Sequence, residues 1–402
     1  MNFKFIRWID KYAGVPLVYT AVFFIKIFRV PARGRKTVTD KILLVKFWGI
    51  GNIMMLLPAA SALGKKYPGA GIDILTLKSN EEVAKCSGLF RNIHLIDTSD
   101  VFSFAASSLK SFLDLRREKH ELIIDFEQFA RFSSLFCLLI GGSNRTGFHT
   151  KGQHRERLYT QPVPYNNRIH MVESFFTLIR VPEWSHRDFV KPEKFRGRPD
   201  RAGETRLSLR KPGIAENDVL VIFHTGTSEN FSLRRWPAEY FVRLADLLTE
   251  HFGVKIIFTG VPEENDLAGG ILSRVHQNKK TANFCGDTSF QEFADLIRKS
   301  DLVVSADTSA VHIASYFSVP VVGLYGPNTP HLYGPWGKGA LVFYEKLSCS
   351  PCITNYNAKM NRCVHPEGQG ACMKRIRAED VFRSIKSNYF DSGAPYRIKK
   401  HG

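Results

Sequence analysis

Short apolar runs alternate with longer amphipathic segments through the first half of the chain. The runs are rich in leucine and β-branched residues, which predicts buried strands at residues 42–45, 72–77, 93–96 and 122–124. Residues 171–179 are expected to form a helix that closes this half. Strands that alternate with helices in this way favour a parallel, doubly wound sheet.

The second half of the chain repeats the pattern. Apolar runs predict strands at residues 219–223, 254–258, 302–305 and 319–324. Pro237 is expected at the first position of a helix, where its missing N–H costs nothing. The sequence therefore predicts an α/β protein with two doubly wound, Rossmann-like domains, whose ligand binds at the carboxyl ends of the strands, in a cleft between the domains.

Changes in composition mark the expected domain boundaries. The first domain is expected at residues 41–180 and the second at residues 216–385. Residues 181–215 are rich in proline, glycine and charge, which is typical of a linker. A basic and apolar segment, 1–40, precedes the first domain, and a basic tail, 386–402, follows the second.

The N-terminal segment contains an uncharged stretch at residues 12–25 between basic flanks. This stretch is short for a membrane-spanning helix and Pro16 interrupts it. We therefore expect an interfacial anchor, with apolar residues in the lipid boundary and basic residues at anionic headgroups. A helix buried against the protein's own core is the alternative. No convincing signal-peptide cleavage site follows the stretch.

The charge of the chain narrows the classes of partner. The 402 residues carry a formal net charge of +18, which indicates an anionic partner: nucleic acid, a nucleotide diphosphate or an anionic lipid surface. Nucleic-acid binding is not expected, because no basic helix or aromatic stacking platform stands out. A dinucleotide-dependent oxidoreductase is also disfavoured, since the turn Gly49-Ile50-Gly51-Asn52 lacks the third glycine of the dinucleotide fingerprint.

Two loops of the second half carry the strongest chemical signal. In each, an apolar strand ends at small hydroxyl residues, and at the second loop a helix follows, whose free N–H groups and positive dipole end suit a diphosphate. Simple helix capping is the alternative explanation. An arginine close to the first loop adds fixed positive charge. The candidate ligand-binding residues are Thr225, Gly226, Thr227, Arg234, Asp307, Thr308, Ser309 and Ala310.

These loops belong to a longer series of motifs. The series contains the segments 42–46, Gly51-Asn52, 224–227, 234–237, 260–264, 307–312 and 319–327, in this order. In this order the chain resembles glycosyltransferase family nine, the ADP-heptose:lipopolysaccharide heptosyltransferases, over about residues 41–385. The stretch 307–327 is its most specific part.

The resemblance implies a GT-B fold and inverting transfer of a sugar, heptose in the family, from a nucleotide-diphosphate donor such as ADP-heptose to a lipopolysaccharide-type, lipid-linked acceptor. It implies no metal and no cofactor besides the donor. The enzyme is expected at the cytoplasmic face of the cytoplasmic membrane, as a peripheral protein.

The resemblance also assigns roles to single residues. Thr225, Thr227 and Arg234 are expected to hold the diphosphate, and Thr308, Ser309 and Ala310 to cap its distal phosphate. Asp307 is expected to contact the sugar, and Glu263 or Glu264 the ribose. On the acceptor side we expect Gly51 and Lys46, the latter at an acceptor phosphate, with a surface lysine as the alternative. His312 either steadies the phosphate loop or, the preferred interpretation, is a hydrogen-bonded structural histidine.

Asn52 departs from the family pattern, which has an aspartate there as general base. A neutral amide cannot take a proton and can only orient a substrate. Three explanations stay open: another carboxylate is the base, the donor or acceptor differs, or catalysis is lost. Asp125 and Glu127 follow a predicted strand and are expected at the ligand-binding edge, and we take Glu127 as the base, with a solvated carboxylate as the alternative.

Four of the seven cysteines lie near the end of the chain, at Cys349, Cys352, Cys363 and Cys372. They form one C-x-x-C pair and two scattered residues, which falls short of a zinc ribbon. Reduced thiols that pack a loop are expected, with structural zinc as the alternative.

Overall fold

The computed structural model describes residues 10, 12, 14–27, 40–180, 218–227, 229–354, 362–391, 393 and 398. The expected linker, most of the basic tail and residues 1–9 and 28–39 of the N-terminal segment lie outside this set. The described residues fall into two compact units, with residues up to 180 in the first and residues from 218 in the second.

The first unit contains a six-stranded parallel sheet. Its strands are β1 (Lys41–Val45), β2 (Gly71–Leu77), β3 (Ile93–Ile96), β4 (Leu122–Asp125), β5 (Asn144–His149) and β6 (Gln161–Pro164), in the spatial order β3-β2-β1-β4-β5-β6. Its helices are α1 (Gly14–Ile27), α2 (Ile50–Lys66), α3 (Glu81–Ser87), α4 (Val101–Glu118), α5 (Arg131–Ile140) and α6 (Met171–Ile179). The chain runs outward from β1 in one direction and then returns to β4, so the order reverses between β1 and β4.

The second unit contains another six-stranded parallel sheet. Its strands are β7 (Leu220–His224), β8 (Lys255–Thr259), β9 (Thr281–Asn283), β10 (Leu302–Ala306), β11 (Val321–Tyr325) and β12 (Ala340–Tyr344), in the order β12-β11-β10-β7-β8-β9. Its helices are α7 (Ala238–Phe252), α8 (Asn265–Leu272), α9 (Phe290–Lys299), α10 (Ser309–Phe317), α11 (Pro330–Tyr333), α12 (Ala371–Arg375) and α13 (Ala378–Ile385). Here the order reverses between β7 and β10.

The doubly wound α/β prediction is confirmed for both units, and the strands with continuous apolar runs lie where they were expected. Four strands were missed. β5 (NRTGFH) and β6 (QPVP) are polar or interrupted by proline, β9 has three residues, and β12 lies at an edge with its side chains only half-buried. Pro237 also differs by one position, because it is the cap of α7 and Ala238 begins the helix. Of the missed strands, β6, β9 and β12 lie at the edges of their sheets, and an edge strand has one open side and therefore a weaker apolar signal.

The described part of the N-terminal segment forms α1, which packs on α5 and on the turn Arg155–Leu158. Val18 is fully buried, whereas Leu17 and Phe23 are 54% and 59% exposed. Asp10 anchors the start of this region, since its Oδ1 accepts the N–H of Phe132 at 2.8 Å. One side of α1 therefore packs against the core and another faces outward. Within the described residues, none of the helices combines the length and the apolar character that crossing a bilayer requires.

Candidate functional site

In each unit most of the candidate site residues follow the two strands between which the strand order reverses. In doubly wound sheets the crevice at this position, at the carboxyl ends of the strands, is the usual ligand site. In the first unit it is flanked by the ends of β1 and β4, which pair in parallel with Val45 opposite Asp125. In the second it is flanked by the ends of β7 and β10, with His224 opposite Ser305. Strand order therefore brings together segments that are about 80 residues apart in both units.

A buried charge cluster, Lys46, Asp125, Glu127 and Arg155, occupies the edge in the first unit. Glu127 is 3% exposed, and its Oε1 accepts the N–H groups of Phe47 (2.7 Å) and Trp48 (3.1 Å). The Lys46 ammonium lies 3.1 Å from the same oxygen and is 1% exposed. Neither side chain is therefore the solvated surface residue that was the alternative at the sequence level. The hydrogen bonds and the ion pair of Glu127 among the described residues all use Oε1, which leaves Oε2 outside this network.

Asp125 does not face a crevice as expected. Its side chain is fully buried, and its Oδ2 accepts from Arg155 (2.6 Å), Tyr159 (2.6 Å) and Ser133 (2.7 Å). Its Oδ1 accepts the N–H of Glu127 at 2.9 Å. With both oxygens occupied, Asp125 orients the segment that carries Glu127, and its burial disfavours a catalytic role, which stays a prediction. Burial of the carboxylate is tolerable because a buried arginine pairs with it.

Asn52 and Gly51 lie in the first turn of α2. The Asn52 side-chain amide donates to the carbonyl of Trp48 at 2.9 Å. Gly49 precedes the helix at φ 84°, a left-handed conformation that favours glycine, and a side chain there would meet the Asn52 amide at 3.1 Å. Asn52 thus holds the turn after β1, next to the backbone N–H groups of Phe47 and Trp48 that donate to Glu127. Gly51 is half-buried in the same turn.

The second unit presents Thr225, Gly226 and Thr227 directly after β7. Thr225 is 1% exposed, and its hydroxyl is buried with no hydrogen-bond partner among the described residues. A buried polar group without a partner costs free energy, so this hydroxyl requires an explanation. A Cβ at Gly226 would lie 1.7 Å from Cδ of Glu264, so only glycine lets the loop and this carboxyl pack together.

Glu264 and Glu263 have different environments. Glu264 is 7% exposed and its Oε2 accepts the N–H of Val261 at 3.1 Å. Burial raises the pKa of the Glu264 carboxyl, although Arg235 and this hydrogen bond counteract the effect. Glu263 is exposed. Of the two candidates for ribose binding, the structure places Glu264 against the Thr225 loop.

Arg234 and Asp307 form an ion pair beside this loop. The Arg234 Nη1 donates to the carboxylate Oδ2 of Asp307 at 2.8 Å and to the carbonyl of Asp307 at 2.6 Å. The amide of Asn328 donates to the same Oδ2 at 2.7 Å. Asp307 is 5% exposed, so its carboxylate is engaged in fixing Arg234 and the segment after β11. Sequence reasoning missed Asn328, although its place after an apolar run could have indicated it.

The helix α10 begins at Ser309, and Thr308 is its N-cap. The Thr308 hydroxyl accepts the N–H of Ala310 at 3.2 Å and lies 2.9 Å from the Ser305 hydroxyl. Capping therefore occurs, and it leaves a helix N-terminus at the carboxyl edge of the sheet, the arrangement that binds anions elsewhere. Ser309 is half-buried and Ala310 is buried.

His312 lies one turn further along α10 and is 4% exposed. Its ring stacks on Trp336 at a centroid distance of 5.6 Å, and burial lowers its pKa to about 4. Its Nδ1 is buried and has no hydrogen-bond partner among the described residues. The hydrogen-bonded structural role expected for His312 therefore stays a prediction.

The four C-terminal cysteines line one pocket together with His365. Burial raises the pKa of Cys372 to about 11, with a further contribution from the neighbouring thiols. All four are free thiols. In the part of the chain that the structure describes, no three histidine, cysteine or carboxylate side chains are grouped so that they could hold a metal ion.

Comparisons with known proteins agree with this architecture. Among curated relatives, a lipooligosaccharide heptosyltransferase 2 of Campylobacter jejuni is 24% identical over 279 residues, covering 69% of this chain and 79% of that protein. A lipopolysaccharide heptosyltransferase 3 of Escherichia coli is 22% identical over 308 residues, with coverage of 73% and 86%.

Solved structures show the same fold. The E. coli ADP-heptose lps heptosyltransferase II matches with a TM-score of 0.65 and 20% identity, covering 86% of this chain and 97% of that one. A family 9 glycosyltransferase from Veillonella parvula matches with a TM-score of 0.68 and 19% identity, with coverage of 88% and 97%. The family model described as glycosyltransferase family 9 (heptosyltransferase) matches residues 109–362, more than half of the chain. The chain therefore belongs to glycosyltransferase family 9 and is a glycosyltransferase with the GT-B fold.

Proposed function

We propose that this enzyme transfers a heptose, with inversion, from ADP-heptose to a lipopolysaccharide-type glycolipid. The relatives' names supply the sugar and the acceptor class. The observation that carries the proposal is the buried hydroxyl of Thr225, which has no hydrogen-bond partner within the described part of the chain. It lies at the strand reversal of the second unit and beside the N-terminus of α10. A phosphate oxygen of the donor would provide the missing partner.

In the proposed donor complex, positive charge surrounds the pyrophosphate. Arg234 is held by Asp307, so its planar guanidinium is oriented before the donor binds. The N-terminus of α10, with Ser309 and Ala310, supplies N–H groups and the positive end of the helix dipole. These groups stabilise the negative charge that develops on the departing nucleoside diphosphate, which assists cleavage of the sugar–oxygen bond. The proposed transfer requires the nucleotide-sugar donor, and we propose no metal or other cofactor for it.

On the acceptor side we propose Glu127 as the general base. Oε1 is fixed by Lys46 and two backbone amides, so Oε2 is the oxygen that would accept the proton of the acceptor hydroxyl. Asn52 and Gly51 shape the neighbouring turn and would orient the acceptor.

The proposed partners are a nucleotide-diphosphate sugar, a lipid-linked saccharide and an anionic membrane surface, without nucleic acid. A lipid-linked acceptor assembled at the cytoplasmic face of the cytoplasmic membrane supports a peripheral location there.

The second candidate function is that of a related transferase with another donor or acceptor, or of a homologue that binds a sugar nucleotide with impaired catalysis. The amide of Asn52, in place of the family's aspartate, favours it.

Calorimetry with ADP, UDP, GDP and dTDP tests the donor part of the proposal. We expect ADP to bind most tightly, and Thr225→Val to weaken ADP about 10- to 100-fold, as loss of a hydrogen bond to a charged group would. The same variant should not reduce stability, because the hydroxyl has no partner to lose among the described residues. Thr259→Val is the matched control: its hydroxyl lies 3.1 Å from the His224 ring, so it should lower stability and leave ADP binding unchanged.

Transfer itself is tested with ADP-heptose and a heptose-deficient lipopolysaccharide, with the product linkage determined by mass spectrometry and NMR. An inverted anomeric configuration in the product is the expected result. If none of the four nucleotide diphosphates binds while RNA does, the transferase proposal fails. If another donor gives the product, the second candidate replaces the first.

A further inference from the structure

Exposed apolar side chains concentrate on one helical layer of the first unit. Twelve large apolar side chains are exposed in the described residues, and only Val261, Val342 and Val364 lie in the second unit. The other nine lie on α1, α4 and α5, or at Tyr12 directly before α1. Because α5 contacts both α1 and α4, the three helices lie next to one another. We call the outward faces of α1, α4 and α5 the apolar helix layer.

The clearest part of this layer is a stripe along α4. Phe102, Leu109 and Leu113 are 86%, 59% and 43% exposed, and their spacing of seven and four residues puts them on one face of the helix. The inward face of the same helix carries Ser111 and Leu115, both buried. The helix is therefore apolar on the outside as well as inside, which its packing within this unit does not require.

Basic side chains border the stripe. Lys110 and Arg117 are exposed on α4, and Arg116 crosses to α5, where it donates to the carbonyl of Leu139 at 2.7 Å. Leu139 is 57% exposed and extends the apolar surface beyond α4. Apolar side chains with arginine and lysine at their border are typical of helices that lie in a membrane interface.

The helix α1 continues the layer on the other side of α5. Leu17 and Phe23 are more than half exposed, and Tyr19 is 43% exposed. The guanidinium of Arg157 lies 5.4 Å from the centroid of the Tyr19 ring and is half-exposed. Tyrosine beside arginine suits the headgroup level of a bilayer, where an aromatic ring can be partly buried and its hydroxyl remains in water.

We propose that the apolar helix layer docks on an anionic phospholipid bilayer. Phe102, Leu109 and Leu113 enter the boundary of the acyl chains, while Lys110 and Arg117 contact anionic headgroups. The charge of the chain favours this occupant over a second copy, since two copies with a net charge of +18 repel each other. The inference deepens the membrane part of the proposed function by assigning the surface, and it rests on that function for its lipid-linked acceptor.

Vesicle flotation of the full chain tests the proposal. Vesicles of phosphatidylglycerol and phosphatidylethanolamine are compared with vesicles of phosphatidylcholine. We expect binding to the anionic vesicles, and a loss of about tenfold or more in Phe102→Glu/Leu109→Glu. Val364→Glu, at an apolar site in the second unit that is about as exposed as Leu109, is the control and should bind like the wild type. Thermal unfolding of each variant verifies that it folds.

A second variant isolates the charge contribution. Lys110→Gln/Arg117→Gln should lose about tenfold on anionic vesicles and nothing on neutral ones. The proposal is overturned if the wild-type chain binds neither kind of vesicle. It is also overturned if Phe102→Glu/Leu109→Glu binds anionic vesicles as well as the wild type does. A wild-type dimer that this variant converts to a monomer also overturns it and assigns the layer to a second copy.

The two proposals fail in different ways. Transfer to an acceptor dispersed in detergent requires no bilayer, so the Phe102→Glu/Leu109→Glu variant should keep wild-type turnover in that assay. Loss of vesicle binding with turnover retained supports the docking surface. Absence of turnover in the wild type refutes the proposed function and leaves the vesicle result to decide the docking surface by itself.

Discussion

Replacing Glu127 by glutamine removes one negative charge and keeps the shape of the side chain. In the wild type the backbone nitrogens of Phe47 and Trp48 lie 2.7 and 3.1 Å from Oε1 of Glu127. The amide oxygen of glutamine can still accept both of these N–H groups. It cannot balance the ammonium of Lys46, which is 1% exposed and lies 3.1 Å away. The variant therefore separates two roles of Glu127, as a proposed base and as the partner of a buried cation.

The two roles have different magnitudes. Leaving a buried charge without its partner costs about 3–5 kcal/mol of unfolding free energy. Losing a general base costs about 10²–10⁴-fold in turnover. Adding Lys46→Met removes the unpaired ammonium, so Lys46→Met/Glu127→Gln should recover most of the lost stability while turnover stays low.

Urea unfolding measures the first effect, and kcat on protein that is fully folded at the assay temperature measures the second. Glu118→Gln is the matched control, because Glu118 also pairs with a lysine, Lys41, at 2.8 Å but on the surface. It should cost less than about 1 kcal/mol and leave kcat unchanged. Unchanged turnover in Glu127→Gln removes Glu127 from the mechanism. Recovery of turnover along with stability in the double variant shows that Glu127 only positions its neighbours.

Two further predictions concern the second unit. Gly226→Ala should displace the carboxyl of Glu264, whose Cδ lies 1.7 Å from the added Cβ, and lower the free energy of unfolding in urea by about 1 kcal/mol. Gly269→Ala has open space around the added Cβ and should raise the free energy of unfolding by about 0.5–1 kcal/mol, so equal effects at the two glycines contradict the packing argument. His312 has a pKa of about 4 against 6.5 unfolded, so its unfolded form binds a proton first as the pH falls. The free energy of unfolding is therefore highest above about pH 6.5 and decreases as the pH falls towards about 4. At about pH 5 this decrease is about 2 kcal/mol. His312→Phe keeps the ring against Trp336 and should show a correspondingly smaller loss of stability between about pH 7 and pH 5; the same loss in both proteins refutes this assignment.

Local patterns in the sequence were sufficient for eight of the twelve strands that the described residues form. The apolar runs at 42–45, 72–77, 93–96 and 302–305 could be recognised because a strand buried on both faces needs a continuous apolar segment. Hydroxyl residues and glycine after such runs indicated the loops at Thr225 and Thr308, since turn and cap chemistry depends on residues close in sequence.

Tertiary structure alone decided how the polar groups are partnered. Asp125 pairs with Arg155, which is 30 residues away, and Asp307 holds Arg234, which is 73 residues away. Such pairs depend on which strands become neighbours, and no local period encodes strand order. The same holds for burial: the sequence left open whether Lys46 and Glu127 are solvated surface charges, and only the parallel pairing of β1 with β4 encloses them together. The sequence thus determined where the loops begin, and the packing of the sheet determined which of their side chains meet, because desolvation and pairing act through space.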